Sequence, residues 1–172
     1  MFNKEYSFRG TQADKVDKLT ADYDGNKHKL FERNYDVYLL APIVGFLYQS
    51  MSEPDTSNSN TTKVFGDIIL RNGEDLKFTF SMIMLLDQKY EPDLEKRIDK
   101  AFRGNITPED EKRYDQYVCG GVEVLYDKLM EGVTNPADYV NKLYDFLEEF
   151  DERYNKNIDI NTVLELSKKA KQ

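Results

Sequence analysis

An uncharged run in the first third of the chain gives the clearest hydrophobic pattern. Residues 37–48 include no charged side chain, although 33% of the whole chain is charged. The run is too short to cross a bilayer, which takes about 20 apolar residues. Apolar side chains recur at helical spacing on all sides of it, which is typical of a helix enclosed by other elements. We therefore predict a central helix over about residues 27–51, bent at Pro42.

Other helix boundaries are marked by capping residues. Gly10 and Thr11 open a first helix, in which Thr11 and Asp14 resemble a capping box. The run Thr107, Pro108, Glu109, Asp110 is the clearest helix start in the chain, and Asn135 with Pro136 repeats the device. A last, weak helix is predicted over about residues 161–169, within a weakly ordered C-terminal tail.

Residues 63–88 support two interpretations. Asn72 and Gly73 lie between apolar runs, which indicates a β-hairpin near residues 68–80. The apolar spacing of four at Leu76, Phe80 and Met84 indicates helix, and this apolar segment is longer than an ordinary strand. We favour two helices here and keep the hairpin as the alternative.

Together these patterns predict an all-α, single-domain bundle. Seven or eight helices would surround the central helix, and the whole chain, residues 1–172, would form one domain. Residues 52–62 contain no apolar side chain. We predict that they form a mobile polar loop inside this domain.

Two adjacent glycines lie inside the predicted sixth helix, where glycine is unfavourable. Gly120 and Gly121 each cost about 1 kcal/mol of helix stability relative to alanine. A phosphate-binding loop would need a strand before the pair and a Lys-Ser or Lys-Thr pair after it, and neither is present. We predict instead that the pair packs closely against Gly45 of the central helix.

Composition narrows the function classes. The formal net charge of -8 and the pI near 4.8 argue against nucleic-acid binding through bulk charge. A single cysteine, Cys119, excludes an internal disulfide and a cysteine-based zinc site. The first residues lack the apolar core of a signal peptide. We expect a cytoplasmic protein that does not interact with membranes.

Candidate catalytic residues have plainer structural interpretations. His28 is the single histidine and lies between two lysines, so we expect a solvated surface side chain. Cys119 lies next to core positions and is expected to be an inert buried thiol. Asp36 and Asp87 border apolar runs, and we expect Asp36 to form an ion pair with Arg33. We therefore predict a protein that is not an enzyme, with no catalytic, cofactor or metal site.

The charge near the C-terminus is unevenly distributed. Residues 131–152 carry seven acidic side chains and one lysine, a net charge of -6. A solvated helix face would explain this, but so would a docking face for a protein partner with a basic surface. The side chains predicted to bind that partner are Asp145, Glu148, Glu149 and Glu152.

Element order over residues 8–86 resembles that of the small helical DndE-type accessory proteins of bacterial DNA-modification systems. The likeness comprises Phe8, Arg9, Gly10 and Thr11 before a charged helix, the apolar helix with Pro42, and a polar loop followed by the apolar segment that ends at Leu86. It implies a non-catalytic subunit of a bacterial DNA-targeting or anti-phage defence assembly. Basic residues link that family to DNA. The alternative function is therefore a DNA-contacting module that uses Lys15, Lys18, Lys27 and Lys29.

Overall fold

The computed structural model describes residues 2–154. The chain divides into two compact units, Met1–Gly132 and Val133–Gln172, here called the first and the second unit. The single-domain organisation stays a prediction. The predicted weak helix at 161–169 and the C-terminal tail from residue 155 lie outside the described residues. Within residues 2–154, no helix is both long enough and apolar enough to span a membrane.

The described part is mostly helical, as predicted, and includes one small sheet. The first unit contains two strands and six helices, and the second unit contains one described helix. In chain order the elements are β1 (Tyr6–Arg9), α1 (Gly10–Leu19), α2 (Asn34–Tyr48), β2 (Thr61–Val64), α3 (Gly66–Arg71), α4 (Gly73–Leu86), α5 (Leu94–Phe102), α6 (Pro108–Leu129) and α7 (Pro136–Tyr154). A bundle around one central helix stays a prediction.

The two strands correct the all-α prediction. β1 pairs with β2 in antiparallel register, with Tyr6 opposite Val64 and Arg9 opposite Thr61. Alternate residues of this ribbon point inward, so Phe8 and Val64 are almost fully buried. Four-residue strands far apart in the sequence leave only a weak local pattern. β2 also begins inside the predicted polar loop. The β-branched residues Thr61 and Thr62 at the end of that loop favour a strand and could have indicated β2.

Helix α2 is shorter than predicted and begins at Asn34 rather than near residue 27. The residues before it form a turn around Asp22, whose carboxylate accepts hydrogen bonds from the amides of Asp24, Gly25 and Lys27. Arg33 has an extended backbone and its amide donates to the Asp36 carboxylate at 2.9 Å. The Arg33 guanidinium also pairs with Asp36 at 2.7 Å, which confirms the predicted ion pair.

The packing of α2 on α6 confirms the glycine prediction. A Cβ atom on Gly45 would overlap the Tyr117 carbonyl oxygen, and one on Gly121 would overlap the Ala41 carbonyl oxygen. Gly120 faces the Ser50 backbone in the same way. The backbones of the two helices therefore meet at a separation that no side chain on these glycines would permit.

Residues 66–71 and 73–86 are helical, so the hairpin alternative is wrong. α3 ends and α4 begins around Asn72, the residue of the proposed hairpin turn. The Asn72 side-chain amide donates to the Ile68 carbonyl at 2.7 Å and so ends α3. Leu76, Phe80 and Met84 are buried at the spacing expected of one helix face.

The polar loop after α2 is fastened to α1. The Asp55 carboxylate accepts the Thr11 amide at 2.8 Å, and the Asp55 amide donates to the Gln12 side chain at 2.7 Å. Asp55 therefore caps α1, which corrects the predicted Thr11–Asp14 capping box. Asp14 instead accepts from the Asn60 side-chain amide at 2.7 Å. These contacts join the loop to α1, and the mobility of residues 52–62 stays a prediction.

Candidate interaction surfaces

The second unit's helix starts at a well-defined cap. Pro136 is its first residue, and the Asp138 carboxylate accepts hydrogen bonds from the backbone amides of Thr134 and Asn135. These amide donors hold the pKa of Asp138 below its ordinary value. The helix start predicted from Asn135 and Pro136 is therefore confirmed.

The predicted docking residues share one face of α7. Asp145, Glu148, Glu149 and Glu152 are spaced at i, i+3, i+4 and i+7, so they line up along the helix. Glu148 and Glu152 are exposed, and Glu149 is half-buried and accepts from the Arg153 guanidinium at 3.0 Å. The structure thus brings all four together, with Glu149 in an ion pair with Arg153.

Exposed apolar side chains on α7 are the feature that sequence reasoning missed. Val140, Tyr144 and Leu147 have exposed fractions of 60%, 64% and 57%. The apolar positions of α7 extend over too wide an arc for one buried stripe. This width could have indicated from the sequence that some of them are exposed. Tyr144 lies one helical turn before Glu148, so the apolar strip borders the acidic face.

Two of the lysines considered for DNA contact face a tyrosine of α6. The ammonium groups of Lys15 and Lys18 each lie 5.4 Å from the centre of the Tyr126 ring. Lys18 also donates to the Tyr126 hydroxyl at 3.3 Å, and Lys15 lies 4.0 Å from Asp127. These cation–π and polar contacts hold both lysines against α6.

The other two lysines, Lys27 and Lys29, lie in the turn centred on Asp22. Lys27 has a positive φ of 68° and its amide is bound by the Asp22 carboxylate at 2.7 Å. Lys29 forms an isolated bridge with Asp22. The four lysines therefore fall into two pairs. The ammonium groups of Lys15 and Lys18 lie over Tyr126, whereas Lys27 and Lys29 are exposed and contact Asp22 through their backbones.

The histidine and the cysteine are in the settings expected of structural residues. The His28 side chain is 66% exposed, and its Nδ1 lies 2.6 Å from the Asp24 carboxylate. That hydrogen bond raises the pKa of His28 above its ordinary value. Cys119 is buried, and desolvation raises the pKa of its thiol to about 12. A thiol that stays protonated at neutral pH is a poor nucleophile.

Two buried carboxylates join α4, α5 and α6. Asp87 accepts from the Tyr117 hydroxyl at 2.7 Å and from the Arg113 guanidinium at 3.2 Å. Asp110 pairs with Lys100 at 2.5 Å and accepts from the Tyr90 hydroxyl at 2.8 Å. Both carboxylates are almost fully buried. Their hydrogen bonds therefore serve the packing of the three helices.

The electrostatics of Asp110 agree with that role. Burial alone would raise the pKa of Asp110, but the Lys100 ammonium and the Thr107 amide outweigh it, so the pKa is lowered. Asp110 also forms a capping box with Thr107 at the predicted start of α6, because its carboxylate accepts the Thr107 amide at 2.8 Å. Across the described residues, no group of three or more histidine, cysteine, aspartate or glutamate side chains could hold a metal ion.

Comparison with known proteins gives no relative from which a function could be transferred. No protein-family model, no curated protein and no solved structure matches this chain. The surfaces described above are therefore the basis for a functional assignment.

Proposed function

We propose that the protein is a non-catalytic interaction subunit of a larger assembly, with α7 as the helix that docks a partner. The observation that carries this proposal is the juxtaposition on α7 of an acidic face and exposed Val140, Tyr144 and Leu147. Exposed apolar groups beside like charges mark interaction sites, because they are costly on a free surface. The complementary partner has an apolar ridge flanked by lysine or arginine.

The state of two buried carboxylates and the cysteine in the first unit supports a non-catalytic role. Asp87 and Asp110 are engaged by Arg113, Tyr117, Lys100 and Tyr90. Cys119 is buried with a raised thiol pKa. Catalysis of acid–base or nucleophilic type needs such groups to be accessible and to titrate near the working pH.

The biological setting of the proposal rests on the resemblance of residues 8–86 to the DndE-type accessory proteins. On that basis we assign the protein to a cytoplasmic bacterial complex that targets DNA or acts in anti-phage defence. Any contact with nucleic acid would then be made through the partners in the complex.

The alternative, direct DNA contact through the lysines, receives less support from the geometry. Lys15 and Lys18 are held over Tyr126, and the exposed Lys27 and Lys29 lie in the turn around Asp22. We expect negligible binding of duplex DNA in a mobility-shift titration at about 150 mM salt. Binding at micromolar concentration or tighter would favour the DNA-contacting function instead.

The proposal is tested with the triple variant Glu148→Gln, Glu149→Gln, Glu152→Gln. Wild type and variant are used side by side to purify partners from the native host, and association kinetics are then measured with the partner recovered. Removing three charges should slow association and reduce its salt dependence, because the acidic face attracts the partner before contact.

The matched control changes three exposed acids of the first unit, Glu32→Gln, Glu74→Gln and Glu95→Gln. It alters the net charge equally, so it separates the α7 face from the total charge of the protein. Equal kinetics for the two triple variants, with melting curves that show both to be folded, would contradict a docking role for this face.

A further inference from the structure

A pocket of about 280 Å³ opens beside the C-terminal end of α5. This volume is close to the lower end of the range for small-molecule sites, about 300–1,000 Å³. Two of its wall residues, Phe102 and Ile106, keep 67% and 40% of their surface exposed. The apolar wall consists of Phe2, Phe80, Ala101, Phe102 and Ile106.

Lysines provide the charge at this pocket. Lys100 is already engaged, because its ammonium pairs with Asp110 at 2.5 Å and lies 5.2 Å from the centre of the Tyr90 ring. Lys77 is exposed on α4 and forms no ion pair with any residue between 2 and 154. The Ser81 hydroxyl donates to the Ala101 carbonyl at 2.6 Å. Lys77 is therefore the cation available at the rim of an apolar pocket.

We propose that this pocket binds a small amphipathic monocarboxylate, such as a medium-chain acyl or arylalkyl carboxylate. The apolar body would lie against Phe80 and Phe102, and the carboxylate would pair with Lys77. One available ammonium suits a single negative charge, whereas a phosphate group requires several N–H donors. The pocket belongs to the first unit, so this site is independent of the docking function proposed for α7.

The test is a titration of isotope-labelled protein with octanoate, followed by amide chemical shifts. Octanoate should shift the amides of Ser81, Ala101 and Gly104 in a saturable way, with a dissociation constant of roughly millimolar or tighter. Acetate, which has the charge without the apolar body, should cause no saturable shift there. Octanol, which has the apolar body without the charge, should bind more weakly than octanoate.

Two variants separate the contributions of charge and apolar wall. Lys77→Gln should weaken octanoate binding about two- to fivefold, the range for a solvent-exposed ion pair, and leave octanol unchanged. Phe102→Ala, at an exposed position that costs little stability, should weaken both ligands. Lys96→Gln is the matched control, because Lys96 is an exposed lysine of α5 outside the pocket.

Failure of the proposal would be clear from the same spectra. It is overturned if octanoate causes no saturable shift at these amides in the folded wild type. It is also overturned if Lys77→Gln binds octanoate as wild type does, or if Lys96→Gln weakens binding to the same extent.

Discussion

Gly121 of α6 faces the Ala41 carbonyl of α2 so closely that a Cβ atom at Gly121 would overlap the carbonyl oxygen. That Cβ atom would also lie 2.9 Å from the backbone nitrogen of Gly45. Real Cβ atoms do not tolerate such contacts, and the obstacle here is backbone, which cannot move aside as a flexible side chain can. The contact between α2 and α6 therefore depends on the absence of a side chain at Gly121.

We predict that Gly121→Ala destabilises the protein even though alanine is the better helix former. Overpacking costs about 1–3 kcal/mol, occasionally more. Because the obstacle at Gly121 is backbone, we expect a cost at the upper end, above the gain of about 1 kcal/mol in helix propensity. Urea unfolding followed by circular dichroism measures the difference. Gly73→Ala is the control, because a Cβ there meets nothing within 4 Å. Equal stability of the two variants would contradict the close approach of the helices.

The buried Asp87 gives a second prediction, on the cost of removing each of its partners. Arg113→Met leaves a buried carboxylate without its cation and should cost about 3–5 kcal/mol. Tyr117→Phe removes two hydrogen bonds, the one that the hydroxyl donates to Asp87 at 2.7 Å and the one that it accepts from Arg113 at 3.1 Å, and should cost about 1–3 kcal/mol. Urea unfolding of both variants checks the order.

The control for this series is Lys112→Met, one residue before Arg113. Lys112 pairs with Glu53 at 3.0 Å, but both side chains are at least 60% exposed, so the loss should stay below about 1 kcal/mol. If Arg113→Met cost no more than Lys112→Met, the Asp87 cluster would contribute nothing beyond surface charge.

Asp115 provides a prediction of pH dependence. It lines a small cavity of about 120 Å³ with Lys4, Tyr6 and Tyr38. Burial, and then the nearby Glu111 carboxylate, raise the pKa of Asp115 to about 6. The folded protein therefore holds this proton more tightly than the unfolded chain, where the pKa is near 3.9. The resulting stabilisation is complete below about pH 4 and is lost as the pH rises to about 6.

Asp115→Asn removes this titration. The variant should have no advantage below about pH 4 and should be more stable than wild type above pH 6, by at most about 3 kcal/mol. Melting or urea curves of both proteins between pH 4 and 8 give the difference directly. Asp127→Asn, at an exposed position of the same helix, should show a small and flat difference. A flat difference for Asp115→Asn as well would show that this carboxyl is well solvated.

Local chemistry made several features predictable from the sequence. The capping residues Thr107 and Asp110 fix the start of α6 wherever it packs, and the glycines can be explained only by a close backbone contact. The burial of Cys119 was predicted from the core positions next to it. In each case a short stretch of sequence carried the whole physical reason.

The missed features depend on residues that are distant in the sequence. Asp55 caps α1 from 44 positions away, and no local pattern shows that pairing. β1 and β2 are each four residues long and meet only in the folded chain. The exposed strip on α7 was missed for another reason, since periodicity shows which positions are apolar and not which of them are covered.

The cap that Asp55 places on α1 also bears on the order of folding. The donor at Thr11 and the carboxylate are separated by the whole of α2, so this bond forms only after a long loop has closed. The same holds for the pairing of β1 with β2. We therefore expect α6, which has its own capping box, to form early. The N-terminal strand and α1 should join late, when α2 has docked and brought residue 55 into reach.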